Sequence, residues 1–278
     1  MTTQVVLTGT GIPIADGTRA GSGTLVRTGD LNLQFDVGRA TVMRLAAAGV
    51  RAPMVTTVFV THHHSDHLIS LDDLAITRWM EWSEDPVPVV VPEGPGARYA
   101  RRCMDLWADD IAVRQEHTGR SSAPAVSVTA FEPSGEPQVV WERDGVTVSA
   151  VMVRHQPVEP AVAYRVDTPD GSVVISGDTR VCEEVEQLAT GADVLVHEVA
   201  LVHALDGTAW EVLFDYHADS TLLGGLAKRA GVKTLMLTHF APFPNDLFPV
   251  QRFVDDVRAG GFDGELVAGD DLSSVTLG

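Results

Sequence analysis

Short apolar runs alternate along the chain with stretches whose apolar positions recur every three or four residues. The first pattern predicts strands and the second helices. Strands are predicted at residues 4–7, 24–27, 32–36, 57–60, 87–91, 139–143, 146–153, 161–167, 172–176, 194–196, 234–237, 266–267 and 274–277. Tight turns join three of these pairs, at Thr28-Gly29-Asp30, at Asp144-Gly145 and at residues 168–171. Helices are predicted at 40–48, ended by Gly49, at 69–82, where Leu71, Leu74, Ile76 and Trp79 form an apolar face, at 97–109, and at 222–230, ended by Gly231. Residues 119–124 read as a small, polar, mobile loop. No linker, charge run or tandem repeat marks a boundary. One domain spanning residues 1–278 is expected, with two β-rich halves stacked as sheets and flanked by helices.

Composition changes this picture little: 45% apolar and 21% charged residues are ordinary globular proportions, in a chain long enough to bury a substantial core. Charge changes it more. Against 38 Asp and Glu stand 20 Lys and Arg, a formal charge of −18. Phosphate backbones are gripped mainly by clustered cations, so this balance disfavours nucleic acid and anionic membranes as partners and favours a small-molecule substrate. A metal cluster would reverse the field locally. No apolar stretch approaches the ~20 residues of a membrane helix, and the opening MTTQVVLTGTG has no basic-then-apolar leader. Cys103 and Cys182 lie far apart, outside any metal-ligand spacing, and are expected as buried free thiols of a cytoplasmic protein.

The stretch Val60-Thr-His-His-His-Ser-Asp-His-Leu68 puts four of the ten histidines into six positions. Imidazoles this crowded repel one another when protonated and fill a core poorly. Read as chemistry, the stretch is His62-x-His64-x-Asp66-His67, and imidazole and carboxylate are donors preferred by zinc and its first-row neighbours. Following a strand, these side chains are expected to fan from a loop. They are too many for one tetrahedral ion and suggest two, which need a bridging carboxylate or hydroxide. Asp178, at the end of Val173-Val-Ile-Ser-Gly177, is the bridge candidate, with Gly177 admitting a metal closely. His155 and His239 each follow another predicted strand. Four strand ends thus deliver polar ligands, as one rim of a sandwich would.

This order of residues resembles the metallo-β-lactamase superfamily over nearly the whole chain. The resemblance implies an α+β fold, a four-layer αββα sandwich. It also implies that His62, His64 and His155 bind one metal, that Asp66, His67 and His239 bind a second, and that Asp178 bridges them. Two divalent ions are expected, zinc first, with manganese or iron as alternatives. Leu7-Thr-Gly-Thr-Gly11, Arg19 ahead of Ser22-Gly-Thr-Leu-Val26, Ile175-Ser-Gly-Asp-Thr179, Val196-His-Glu198 and Leu237-Thr-His-Phe-Ala-Pro242 are similar to the ribonuclease Z and arylsulfatase-like branch. That branch has a further histidine before the helix preceding the last ligand, and His217 fits, 22 positions ahead of His239. A homodimer is the assembly the resemblance implies. Members that process transfer RNA carry a long arm between the third metal histidine and the bridging aspartate. Here His155 and Asp178 are 23 positions apart, with room for one hairpin.

Among the remaining residues, Asp66 is expected to orient the nucleophile or take its proton as well as hold a metal. His217 is expected to protonate the leaving group or to hydrogen-bond an anionic oxygen. Glu198 either orients His217 or another imidazole, or forms a buried structural pair with His197. His63 should turn away from the metals, and His117 and His203 read as surface residues. Trp79 and Trp82 read as core packing. Gly9–Gly11 lacks the Gly-Lys-Ser/Thr ending of a nucleotide cradle and reads as a turn needing glycine conformations. Trp210, Phe214 and Tyr216, before His217, and Phe240 and Phe243, beyond His239, are candidate pocket aromatics for an apolar part of the substrate.

These readings converge on a dinuclear metal-dependent hydrolase, its metal-bridging hydroxide attacking a phosphodiester of a small or aromatic substrate. Arylsulfatase-like sulfate-ester hydrolysis, lactone or carboxyl-ester hydrolysis, and ribonuclease Z-like endoribonuclease activity are the alternatives. A β-lactamase proper is disfavoured by aspartate at 178. A non-catalytic binding protein is disfavoured because such relatives lose ligands, and all seven are here.

Overall fold

The first and last apolar runs of the chain pair with each other and so share one of two seven-stranded sheets. The computed structural model describes residues 2–278, apart from the side chains of Leu213 and Phe214. One sheet contains β1 (Thr3–Gly9), β2 (Gly23–Thr28), β3 (Leu31–Phe35), β4 (Thr57–Phe59), β5 (Val87–Pro92) and β6 (Val126–Phe131). The other contains β7 (Gln138–Arg143), β8 (Val146–Met152), β9 (Val162–Thr168), β10 (Gly171–Ile175), β11 (Val194–Ala200), β12 (Thr234–Ala241) and β13 (Glu265–Val267). The last strand, β14 (Ser274–Leu277), returns to the edge of the first sheet. The orders are β14-β1-β2-β3-β4-β5-β6 and β13-β12-β11-β10-β9-β8-β7. Eight helices complete the described chain: α1 (Thr41–Ala47), α2 (Ser65–Leu68), α3 (Leu71–Met80), α4 (Pro95–Arg102), α5 (Ala108–Thr118), α6 (Glu183–Leu188), α7 (Ser220–Ala230) and α8 (Val250–Ala259).

Strand alternation sorts the apolar residues into three layers. Val5 and Leu7 of β1 point between the sheets, where they join Phe35, Phe59, Tyr164 and Val173. Val6, between them in sequence, faces outward with Leu45 of α1 and Leu71 and Leu74 of α3. On the opposite side, Val174, Leu195 and Leu235 meet Val185 of α6, Leu223 of α7 and Phe253 of α8. Both faces of each sheet are therefore covered, which is why many strand runs are apolar throughout. The result is the four-layer αββα sandwich of the metallo-β-lactamase type.

Several local expectations change. The helix predicted at 97–109 divides into α4, a 3-10 turn at Asp105–Trp107, and α5. α5 buries no residue, so it offers no apolar face to read. Trp79 is buried as expected, but Trp82 is 75% exposed, with the Arg120 guanidinium over its ring. Gly9 and Gly11 do not use left-handed backbone; what they supply is space. A Cβ on Gly9 would lie 1.8 Å from the Gly21 carbonyl oxygen, and one on Gly11 would lie 2.7 Å from that of Ala20. Cys103 and Cys182 are buried and free. Among the described residues, no helix is long and apolar enough to cross a membrane.

Candidate active site

The candidate ligands leave the strands along one rim of the sandwich. Beyond β4, the Val60 carbonyl accepts the Tyr164 hydroxyl at 2.7 Å, and the Thr61 carbonyl accepts Val162 N–H at 3.0 Å, tying this loop to the second sheet. His62 and His64 follow in the loop. Asp66 and His67 lie on the one-turn helix α2 rather than fanning from a loop. His155 follows β8, and Asp178 follows β10. Gly177 has φ +60°, and a Cβ there would sit 2.7 Å from Thr61 Cβ. Glycine at 177 thus lets the two ligand loops meet, instead of making room for a metal.

His239 lies within β12, where the register steps from Glu198 opposite Thr238 to Val199 opposite Phe240. It is the extra residue of a β-bulge, with φ 46°. Left-handed backbone costs a non-glycine residue roughly 1–2 kcal/mol, and bulges re-aim side chains at the rims of sheets. The Gly9–Thr10 segment holds this kink from both sides. The Thr238 hydroxyl donates to the Gly9 carbonyl at 3.3 Å, and Phe240 N–H donates to that of Thr10 at 3.3 Å.

Donor atoms converge in three groups that share members: His62, His64, His155 and Asp178 in the first, Asp66, His67 and His239 in the second, and Asp178, His217 and His239 in the third. Within the first, Asp178 Oδ2 lies 3.8 Å from His62 Nε2 and 3.9 Å from His155 Nε2, and His155 Nε2 lies 3.4 Å from His64 Nδ1. Within the second, Asp66 Oδ2 lies 3.3 Å from His239 Nε2 and 3.7 Å from His67 Nε2. Asp178 reaches this group too, at 3.4 Å from both imidazoles. Donors around a tetrahedral ion at about 2.0–2.1 Å are separated by roughly 3.3 Å, so these spacings suit two ions with Asp178 between them.

Outer hydrogen bonds aim the imidazoles. His62 Nδ1 donates to the Thr61 hydroxyl at 3.0 Å, His67 Nδ1 to Asp36 Oδ2 at 2.7 Å, and His155 Nδ1 to the Tyr216 carbonyl at 3.0 Å. Each leaves Nε2 directed inward, as metal-ligating histidines are held. The buried Nε2 atoms of His62 and His67 make no hydrogen bond, His67 despite the Asp178 oxygen nearby. Burial, reinforced by the neighbouring imidazoles, holds His62 well below the ordinary histidine range, and burial takes His64 down to about 4. His67 goes the other way: burial opposes its protonation, but Asp178, Asp36 and Asp66 outweigh it and raise it well above the ordinary value. Asp178 stays ionised against its burial because His239 and His67 face it. Neutral imidazoles at His62 and His64 beside the ionised Asp178 are donors for a metal, and the residues fit two divalent cations.

Asp36 is a site residue the sequence did not disclose. One of its oxygens accepts Thr61 N–H at 2.8 Å, while the other accepts the Thr61 hydroxyl and His67 Nδ1, both at 2.7 Å.

Glu198 settles between its two expected partners. Both its oxygens accept His217 Nδ1, at 2.9 and 2.8 Å, and one also accepts Thr179 N–H at 2.7 Å. His197 instead bonds the Glu198 backbone carbonyl, with its ring buried. Burial would lower the His217 pKa, but the Glu198 charge and hydrogen bond prevail and push it up to about 9. His217 stacks 5.5 Å from His239 and lines a cavity with His64, Asp66 and Asp178. Trp210, Tyr216 and Phe243 line the same cavity. Phe240 does not. It is fully buried, edge-on to Phe253 of α8, because the bulge at His239 turns the next residue towards the helix layer. The side chain of Phe214 lies outside the described residues. Phe248 and Ile12, not anticipated, also line the cavity. His117 and His203 are exposed.

A buried imidazole and carboxylate cluster on the rim of an αββα sandwich defines the class of metal-dependent hydrolases. The chain belongs to the β-lactamase superfamily: the Beta-lactamase superfamily domain matches residues 35–240. It is 38% identical to the ribonuclease Z of Mycobacterium avium (strain 104), over 99% of this chain and 98% of that one. It is 36% identical to the ribonuclease Z of Mycobacterium bovis (strain BCG / Pasteur 1173P2), over the same shares. The metallo-beta-lactamase fold protein YhfI from Bacillus subtilis superposes with a TM-score of 0.78 at 20% identity, covering 99% of this chain and all of that one. The chain is accordingly an enzyme, a metal-dependent hydrolase of phosphoester bonds.

Relatives matched end to end are ribonucleases, which overturns the expected small-molecule partner and the reading that disfavoured nucleic acid. Net charge misled because it averages over the whole surface, whereas substrate meets the metal site. The short His155–Asp178 connection misled as well. The relative from Mycobacterium avium aligns over 279 residues and 98% of its length, so it too has no room for a long arm.

Proposed function

We propose that this enzyme cleaves phosphodiester bonds of RNA in the manner of ribonuclease Z. Full-length similarity to ribonucleases Z carries the reading, and the arrangement of site residues supports it. His62, His64 and His155 would hold one ion, Asp66, His67 and His239 the other, and Asp178 both; zinc suits so many imidazoles. When bound, the ions supply Lewis acidity for the phosphoryl oxygens and acidify a water towards neutrality. Asp66, kept ionised by His67 and His239 despite its burial, would orient an attacking water and accept its proton. His217, protonated and fixed at Nδ1 by Glu198, donates from Nε2 to the leaving ester oxygen. Glu198 is fully buried and anchored by Thr179 N–H, so the imidazole keeps its orientation as charge develops.

The test is incubation of metal-loaded protein with an unstructured RNA and with a precursor transfer RNA, beside Asp178→Ala. Cleavage of at least one RNA that requires both metal and Asp178 is expected. Folded, metal-loaded protein that leaves both intact would refute the reading.

A further inference from the structure

The cavity beside the candidate metal ligands has a volume of about 670 Å³, and among the described residues no lysine or arginine lines it. Among the described residues, its Trp, Tyr and Phe side chains are Trp210, Tyr216, Phe243 and Phe248. For an enzyme acting on a polyanion this lining is unexpected, unless the cavity receives something other than phosphate. Two of its polar side chains are already engaged. The Thr208 hydroxyl donates to the Leu205 carbonyl at 2.6 Å and accepts Trp210 N–H at 3.2 Å. Asn245 Oδ1 accepts Leu247 and Phe248 N–H at 2.8 and 3.0 Å, and its Nδ2 donates to the Phe243 carbonyl at 3.1 Å.

Cations stand at the border instead. Arg39 donates to the carbonyl of Pro13, a lining residue, at 3.2 Å. The Arg252 guanidinium lies 5.6 Å from the centre of the Phe248 ring. Both arginines are exposed, and among the described residues neither has a carboxylate partner.

We propose that the cavity takes one unstacked nucleobase, from a nucleotide adjacent to the scissile phosphodiester, while Arg39 and Arg252 hold backbone phosphates at its border. The proposal rests on the reading of the enzyme as an RNA phosphodiesterase and adds where the RNA must be single-stranded. Aromatic faces accept any base, since every base has a π-face. With Thr208 and Asn245 turned to the backbone, neither of these side chains reads the edge of the base.

The experiment walks a single abasic nucleotide across the cleavage position of a single-stranded RNA. For the wild-type enzyme, kcat/KM falls about tenfold at one position only, while exchanging the four bases there has little effect. Trp210→Ala and Phe243→Ala lower kcat/KM for intact RNA by a similar factor and lose the abasic penalty at that position. Trp82→Ala, at an exposed site outside the cavity, changes neither. The pair Arg39→Gln and Arg252→Gln reduces the salt dependence of kcat/KM by about 0.7 in log–log slope for each phosphate no longer held. RNA cleaved with no abasic penalty at any position, or a penalty that persists in both aromatic variants, overturns the base pocket and leaves RNA cleavage standing. Absence of any RNA cleavage by metal-loaded enzyme overturns the underlying reading, and the pocket assignment with it.

Discussion

Asp36 joins His67 and Thr61 directly and His62 through the Thr61 hydroxyl, all with two carboxylate oxygens. It need not touch substrate to matter, because carboxylates behind ligating histidines are commonly worth about 10–100-fold in metal affinity or activity. Asp36→Asn is expected to lower metal affinity by about that factor while the chain stays folded, measured as metal retained against graded chelator. Glu198 and His217 form the other decisive pair. Glu198→Gln keeps the side-chain volume but removes the charge that keeps His217 protonated. A fall in kcat of roughly 100-fold is expected, with KM and metal content nearly unchanged. Loss of metal in this variant would show that Glu198 serves the metal site instead.

Elements place these residues by close approach and by breaks in regular geometry. Gly177→Ala puts a Cβ into left-handed backbone and against Thr61. It is expected to destabilise the fold by about 2 kcal/mol or more, read from the denaturant midpoint. Phe59 lies in the inter-sheet core, stacked on Phe35 at 4.8 Å and edge-on to Tyr164. Phe59→Ala should cost about 3–5 kcal/mol. The same geometry explains what sequence could and could not convey. Sheets and their order of residues were legible because apolar runs announce doubly covered strands, and the dense histidine cluster after one of them announces chemistry. Asp36 was not, because it ends an ordinary hairpin strand and acquires its role only where the backbone turns, with φ 56°, to meet Thr61 across 25 positions. Phe240 was misplaced because alternation fails at a bulge that no local pattern signals. Phe248 and Ile12 reach the cavity only through tertiary folding.

For the whole molecule, a formal charge of −18 and an RNA substrate are compatible if attraction is local. The two proposed divalent ions would bring four positive charges to one rim, and Arg39 and Arg252 stand beside the cavity there. With about two arginine–phosphate contacts on single-stranded RNA, log K against log salt should have a slope near −1.4, far shallower than that of a basic-patch binder. A slope several times steeper would indicate a cationic surface elsewhere on the molecule. If the folded cluster holds the metals as proposed, chelation lowers Tm and returning divalent metal restores it.

The most direct test is stoichiometric. Chelator-stripped protein is titrated with zinc while RNA cleavage is followed, with Asp178→Ala alongside. Activity that rises to a plateau at two equivalents per chain, and never rises in the variant, is the predicted result. Full RNA cleavage by stripped protein, or equal activity in Asp178→Ala, would contradict the assignment of this cluster as the catalytic centre.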